Sequence, residues 1–97
     1  MYARVTIVQI KIDRMDEAVK IFQESVVPAA KLQNGFDGCY LLSDPKTGKG
    51  MAITLWKTEN DANTNEQSGY YQKTLVPFKD IFSAPPVREG YEVKVHP

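Results

Sequence analysis

Residues Tyr2 to Ile12 are rich in β-branched side chains and apolar on both alternating faces, with Ala3, Val5 and Ile7 on one and Val8, Ile10 and Ile12 on the other. A strand of this kind has to be covered on both sides. That requirement restricts a short chain to folds in which a sheet carries helices on one face and meets a second apolar surface on the other.

The segment after this strand reads as a helix. Asp13 is placed as its N-cap, Asp16 and Glu17 stand in the first turn, and Met15, Ala18, Val19, Phe22, Val26, Ala29 and Ala30 recur at helical spacing. Pro28 lacks an amide donor and crowds the preceding turn, which predicts a kink or a shortened last turn, with Asn34-Gly35 as the stop. Phe36 to Asp44 and Met51 to Lys57 read as two antiparallel strands joined by a Pro- and Gly-containing hairpin loop. A second helical region starts near Glu59 to Ala62. Its apolar stripe is Tyr71, Leu75, Phe78 and Phe82, and Pro77 is expected to break it. After Pro85-Pro86 the alternation of Val87, Tyr91, Val93 and Val95 with Arg88, Glu92 and Lys94 marks a last strand.

The order β-α-β-β-α-β is the ferredoxin-like α+β arrangement, a four-stranded antiparallel sheet with two helices on one face, formed by a single domain over residues 1–97. Its other face is left bare, and a second copy of the same sheet related by a twofold axis is the economical cover. Size points the same way, because a domain of 97 residues buries only about 65% of the surface its unfolded chain exposes. The expectation is a homodimer, or an oligomer built of dimers.

Composition excludes several partners. Twelve basic and twelve acidic side chains cancel and are scattered, so the electrostatic footprint of a nucleic-acid binder is missing. Arg4, Gln9 and Lys11 interrupt the apolar amino-terminal stretch, which therefore reads as neither signal peptide nor membrane span. With one cysteine, Cys39, no intrachain disulfide is possible, and the cytoplasm is the expected compartment. No spacing of His and Cys builds a metal site, and Gly48-Lys49-Gly50 lacks the flanking residues of a phosphate loop.

The element order, the Gly35-Phe36-Asp37-Gly38 entry to the second strand and the Thr54-Leu55-Trp56-Lys57-Thr58 run into the second helix resemble the antibiotic biosynthesis monooxygenase family of dimeric α/β barrels, across nearly the whole chain. That family includes oxygenases that act on polycyclic aromatic compounds without metal or flavin, haem-degrading enzymes, signal-molecule processing proteins and chains of unknown role. The resemblance implies a dimer in which Val87 to Val95 exchanges between subunits. Of the haem-degrading constellation, an Asn on the first strand with a Trp and a His on the second helix, nothing matches. Val8 stands at the strand position, Asn60 to Leu75 holds neither Trp nor His, and the one histidine is His96. Signal-molecule processing, which usually leans on a histidine, has only His96 to draw on.

Taken with the resemblance, Trp56 and Tyr71 are the candidate catalytic residues. An indole can orient a flat substrate by stacking and donate through its N–H, and a tyrosine hydroxyl can hydrogen-bond a substrate oxyanion. Against this, aromatic residues at such positions are ordinary core material. Gln9 and Thr6 are polar residues in an apolar strand, on opposite faces. A ligand could satisfy them, as could the protein itself. Cys39 has no histidine beside it and reads as an inert thiol, while Asp13, Asp16 and Glu17 are explained by the helix dipole. The reading is a small monooxygenase-like protein using neither metal nor cofactor, with a small or flat apolar organic molecule in a pocket between helices and sheet. The alternative is a non-catalytic small-molecule-binding or stress-response barrel.

Overall fold

The computed structural model describes residues 1–97. Four antiparallel strands, β1 (Tyr2–Gln9), β2 (Phe36–Ser43), β3 (Lys49–Trp56) and β4 (Val87–Glu92), lie in the order β2-β3-β1-β4. Helices α1 (Met15–Ile21) and α2 (Val27–Lys31) cross between β1 and β2, and α3 (Glu59–Gln67) and α4 (Tyr70–Leu75) between β3 and β4. This is the ferredoxin-like arrangement expected from the pattern of residues. No helix is long and apolar enough to cross a membrane.

The first strand is shorter than its composition suggests. It leaves the sheet after a single bridge from Ile10 to Phe82, and Ile12, expected on a covered face, is 54% exposed. Ile12–Arg14 form a tight 3-10 turn, so Asp13 sits inside that turn instead of at the helix entrance and makes no capping bond. The residue entering α1 is Arg14. It pairs with Glu17 through Nε and Nη2, at 2.9 and 2.8 Å, and donates from Nη1 to the Asp80 carbonyl at 3.1 Å.

Pro28 acts on the helix differently from a simple break. Phe22–Val26 between α1 and α2 form a π turn, in which the Val27 amide donates to the Phe22 carbonyl five residues back. A wider turn accommodates a ring that offers no amide to the carbonyl four residues before it. Each residue there advances less around the axis than in an α-helix. As a result Phe22, Val26 and Ala30, spaced by four, stay on the buried face that Ala18 begins, while Val19, earlier in α1, is exposed.

The β2–β3 hairpin closes through Asp44, whose amide donates to the Lys49 carbonyl and whose carbonyl accepts from Gly48, each at 2.8 Å. Thr58 caps α3 by accepting from the Asp61 amide at 3.1 Å. The second helical region divides at Gly69, which takes φ +87°, and α4 gives way to a 3-10 turn at Val76–Phe78, where Pro77 falls.

Register separates the two faces of the sheet. Thr6 pairs with Ala52 and Arg88, placing the even-numbered residues of β1 under the helices with Cys39, Leu41, Thr54 and Trp56. The opposite face presents Val5, Ile7, Ile53, Tyr40, Leu42, Val87 and Tyr91. Of these, Tyr40 is 60% and Leu42 50% exposed.

On the helix side the core is in two pieces. Val8 and Ile10 belong to a cluster with Ala18, Phe22, Val26, Phe78 and Ile81, and Tyr2 belongs to another with Trp56 and Ala62. Between them along β1 stand Arg4 and Thr6. Two polar side chains in the middle of a helix-facing row keep the clusters from merging.

Candidate functional site

The gap between the clusters is a cavity of about 80 Å³, partly open to solvent, with walls supplied by the sheet, α1 and the π turn after it, α3 and α4. Most of its lining is apolar, including Val8, Phe22, Trp56, Leu75, Phe78 and Phe82, and its polar members are Arg4, Thr6, Thr54, Asn65, Glu66, Tyr70, Tyr71 and Thr74. The stripe read on the second helical region, Tyr71, Leu75, Phe78 and Phe82, faces this space in full. Phe78 and Phe82 stack there with centroids 5.3 Å apart.

Three of the four residues singled out from the sequence meet at the cavity and one does not. Thr6 Oγ1 and the Tyr71 hydroxyl lie 3.4 Å apart across it, at the long limit of a hydrogen bond, and the Arg88 guanidinium sits 5.1 Å above the Tyr71 ring. Trp56 lines the wall but is 3% exposed. Its indole N–H donates to Thr54 Oγ1 at 2.9 Å, and its ring meets Phe36 edge-on. The indole can therefore offer a ligand its face but not its N–H. Gln9 is outside the cavity. An odd position on β1 turns it to the other face, where Nε2 donates to the Thr47 carbonyl at 2.6 Å and holds the hairpin loop.

The charged part of the site escaped sequence reasoning. Glu66 on α3 stands between Arg4 Nε at 2.6 Å and Arg88 Nη1 at 3.2 Å, and the Arg4 and Glu66 side chains are both 14% exposed. The Arg4–Glu66 contact is an ion pair without an aligned hydrogen bond, since neither atom has a partner in hydrogen-bonding geometry. Arg4 Nη2 donates to Asn63 Oδ1 at 2.9 Å. Two guanidiniums around one carboxylate leave this wall with an excess of one positive charge. The available signal was Arg4 itself, a cation two residues from Thr6 on the same strand face, which demands an anion from the covering helix.

Asn65 is the other unforeseen member. It is 5% exposed, its Nδ2 donates to Gln33 Oε1 at 3.0 Å, and its Oδ1 is buried without a partner. Burial pushes the Tyr70 hydroxyl up to about 12, helped by the neighbouring Cys39, which makes Tyr70 a poor proton donor to a substrate. Burial also raises Cys39, with Lys31 opposing, in keeping with an inert thiol. No group of three or more His, Cys, Asp or Glu side chains converges anywhere in the chain.

No family model matches the chain, and none of the curated proteins does. Solved structures do. The haem degrader MhuD from Mycobacterium tuberculosis superposes with a TM-score of 0.79 at 15% identity, over 98% of its chain and 99% of this one. SnoaB, a cofactor-independent oxygenase from Streptomyces nogalater, gives 0.76 at 11% identity, over 94% of its chain and 98% of this one. An antibiotic biosynthesis monooxygenase gives 0.75 at 13% identity, over 98% of its chain and 96% of this one. Neighbours of such different chemistry share the architecture without sharing the reaction. On these superpositions, the chain has the antibiotic biosynthesis monooxygenase-like fold.

Proposed function

We propose that this protein is a cytoplasmic, cofactor-independent monooxygenase-like protein that takes a small apolar organic molecule into the cavity over β1. One observation carries the reading: hydroxyl, amide and guanidinium groups from Thr6, Tyr71, Asn65 and Arg4 converge on a space whose walls are otherwise apolar. The likeness to SnoaB, described as a cofactor-independent oxygenase, supports it. In such a reaction an activated C–H gives its proton to solvent at the open mouth. The carbanion transfers electrons to oxygen and combines with it, a proton returned from solvent completes the hydroperoxide, and this loses water, with the hydrogen still on the same carbon, to leave a carbonyl. In this reading Tyr71 donates to the substrate oxyanion, and the Arg88 guanidinium, 5.1 Å above the Tyr71 ring, adds positive charge beside it. Trp56 supplies a flat wall for orientation.

A second reading, a binding protein without turnover, is favoured by the indole N–H of Trp56 being taken up by Thr54. Oxygen uptake by chelator-treated protein, offered small activated phenols, separates the two. Saturable uptake that collapses in Tyr71→Phe is expected. Saturable binding without uptake would assign the second reading, and neither binding nor uptake would sink both.

We further propose that the working unit is a homodimer joined through the bare sheet face. Tyr40, Leu42, Val87 and Tyr91 form an exposed apolar surface there, continuous with Val5 and Ile53, and a twofold axis would cover it with its own copy.

A further inference from the structure

Resting on the cavity as a ligand site, we propose that its occupant is a neutral molecule of no more than about one ring, carrying a hydroxyl or amide N–H that donates to Asn65 Oδ1. The orientation of the Asn65 amide is set by a chain of bonds that leaves no choice. The Ala29 carbonyl can only accept, so Gln33 turns its Nε2 toward it, at 3.3 Å. That leaves Gln33 Oε1 to accept from Asn65 Nδ2 at 3.0 Å, and Asn65 Oδ1 is the atom left over. The backbone is held as well, because Ser68 Oγ donates to the Asn65 carbonyl at 2.7 Å. A buried acceptor without a partner is uncommon in a folded protein, and here the residue that carries it lines the cavity.

The remaining features of the site narrow the donor. An ammonium group would enter a wall where Arg4 and Arg88 outnumber Glu66, so the complementary group is an uncharged O–H or N–H. Size restricts the body of the molecule. The cavity holds about 80 Å³, compared with roughly 150 Å³ for an engineered apolar cavity that admits benzene. A single ring therefore already draws on space at the open mouth, and a fused polycycle exceeds it.

Phenol and toluene have nearly the same shape and differ in the donor, and Trp56, the only tryptophan, reports on the cavity wall through its emission. The ratio of their two dissociation constants, measured for the wild type and for Asn65→Leu, is expected to shift about tenfold toward toluene in the variant. A ratio that does not move overturns the inference. Gln33→Met is the companion variant. It keeps Asn65 but frees its amide to rotate, and it is expected to move the ratio in the same direction by less. An unmoved ratio in a folded Gln33→Met overturns the inference even if Asn65→Leu does not fold. Failure of both compounds to bind the wild type would overturn the cavity reading beneath it.

Discussion

Thr6 and Tyr71 face one another hydroxyl to hydroxyl, 3.4 Å apart, one on the central strand and the other on a helix of six residues none of which is fully buried. A contact that long holds the helix weakly. Tyr71→Phe is expected to lower stability by no more than about 0.5 kcal/mol, near the bottom of the range for a hydrogen bond, while lowering oxygen-dependent turnover by about 10²-fold as one oxyanion donor is lost. Thermal unfolding and oxygen uptake on the same preparation separate the two effects. A large loss of stability with unchanged turnover would make Tyr71 a structural residue.

The Arg4–Glu66 pair is a cost once divided. Arg4→Leu leaves a largely buried carboxylate facing only the half-exposed Arg88, and is expected to destabilise the fold by about 3 kcal/mol. The double variant Arg4→Leu with Glu66→Leu should recover most of that loss, because replacing both charges removes the desolvation problem. Urea unfolding of the two single variants and the double variant measures the coupling.

Gly69 and Gly48 both adopt positive φ, at +87° and +80°, but in different surroundings. A Cβ at Gly69 would meet nothing within 4 Å, whereas at Gly48 it would run into the Ile10 carbonyl. Gly69→Ala is expected to cost about 1–2 kcal/mol, the backbone strain alone. Gly48→Ala should cost clearly more, since it also disturbs the hairpin, and chemical denaturation compares them directly.

Tyr70 predicts an alkaline limit. Its hydroxyl is raised to about 12 by burial, so above the ordinary tyrosine value, near 10, the unfolded chain loses this proton while the folded chain keeps it. Stability from this group is complete below about pH 10 and declines as pH rises toward 12. Unfolding midpoints recorded across that window should fall less steeply in Tyr70→Phe. Equal slopes would show that burial of Tyr70 is not the cause.

The bare face gives a test of assembly. Leu42→Glu and Val87→Glu place charges on side chains already exposed in the single chain, so folding should survive while a dimer formed through that face dissociates. Light scattering on the wild type and both variants reads the outcome. A monomeric wild type, or variants that stay dimeric, would remove the proposed interface.

The features legible in the sequence are those with a local cause. The apolar alternation of β1, the stripe from Tyr71 to Phe82 and the turn around Asp44 to Gly50 each depend on neighbours a few positions away. Gln9 shows the limit: its face is fixed by register, which depends on strands forty and more residues distant. Separation in the chain likewise hides Glu66 from Arg4 and Gln33, 32 residues away, from Asn65. Asp13 misleads for a local reason, because a 3-10 turn ahead of α1 moves the helix entrance by one residue. The disturbance at Pro28 is visible in the sequence, but its resolution as a π turn depends on the packing of Phe22 and Val26 against the sheet.

The interruption of the core by Arg4 and Thr6 means that one row of side chains on β1 is divided, with polar groups in its middle and core-forming groups at its ends. Tyr2, Val8 and Ile10 hold the strand at both ends, so the two positions between them can change without loss of the scaffold once the charge on Glu66 changes together with Arg4. Filling the gap with aliphatic side chains, alongside removal of the Glu66 charge, should yield a more stable and inert protein. Altering its polar groups should retune what it admits, and a screen confined to Arg4, Thr6, Asn65, Glu66 and Tyr71, with Arg4 and Glu66 varied as a pair, would explore that range.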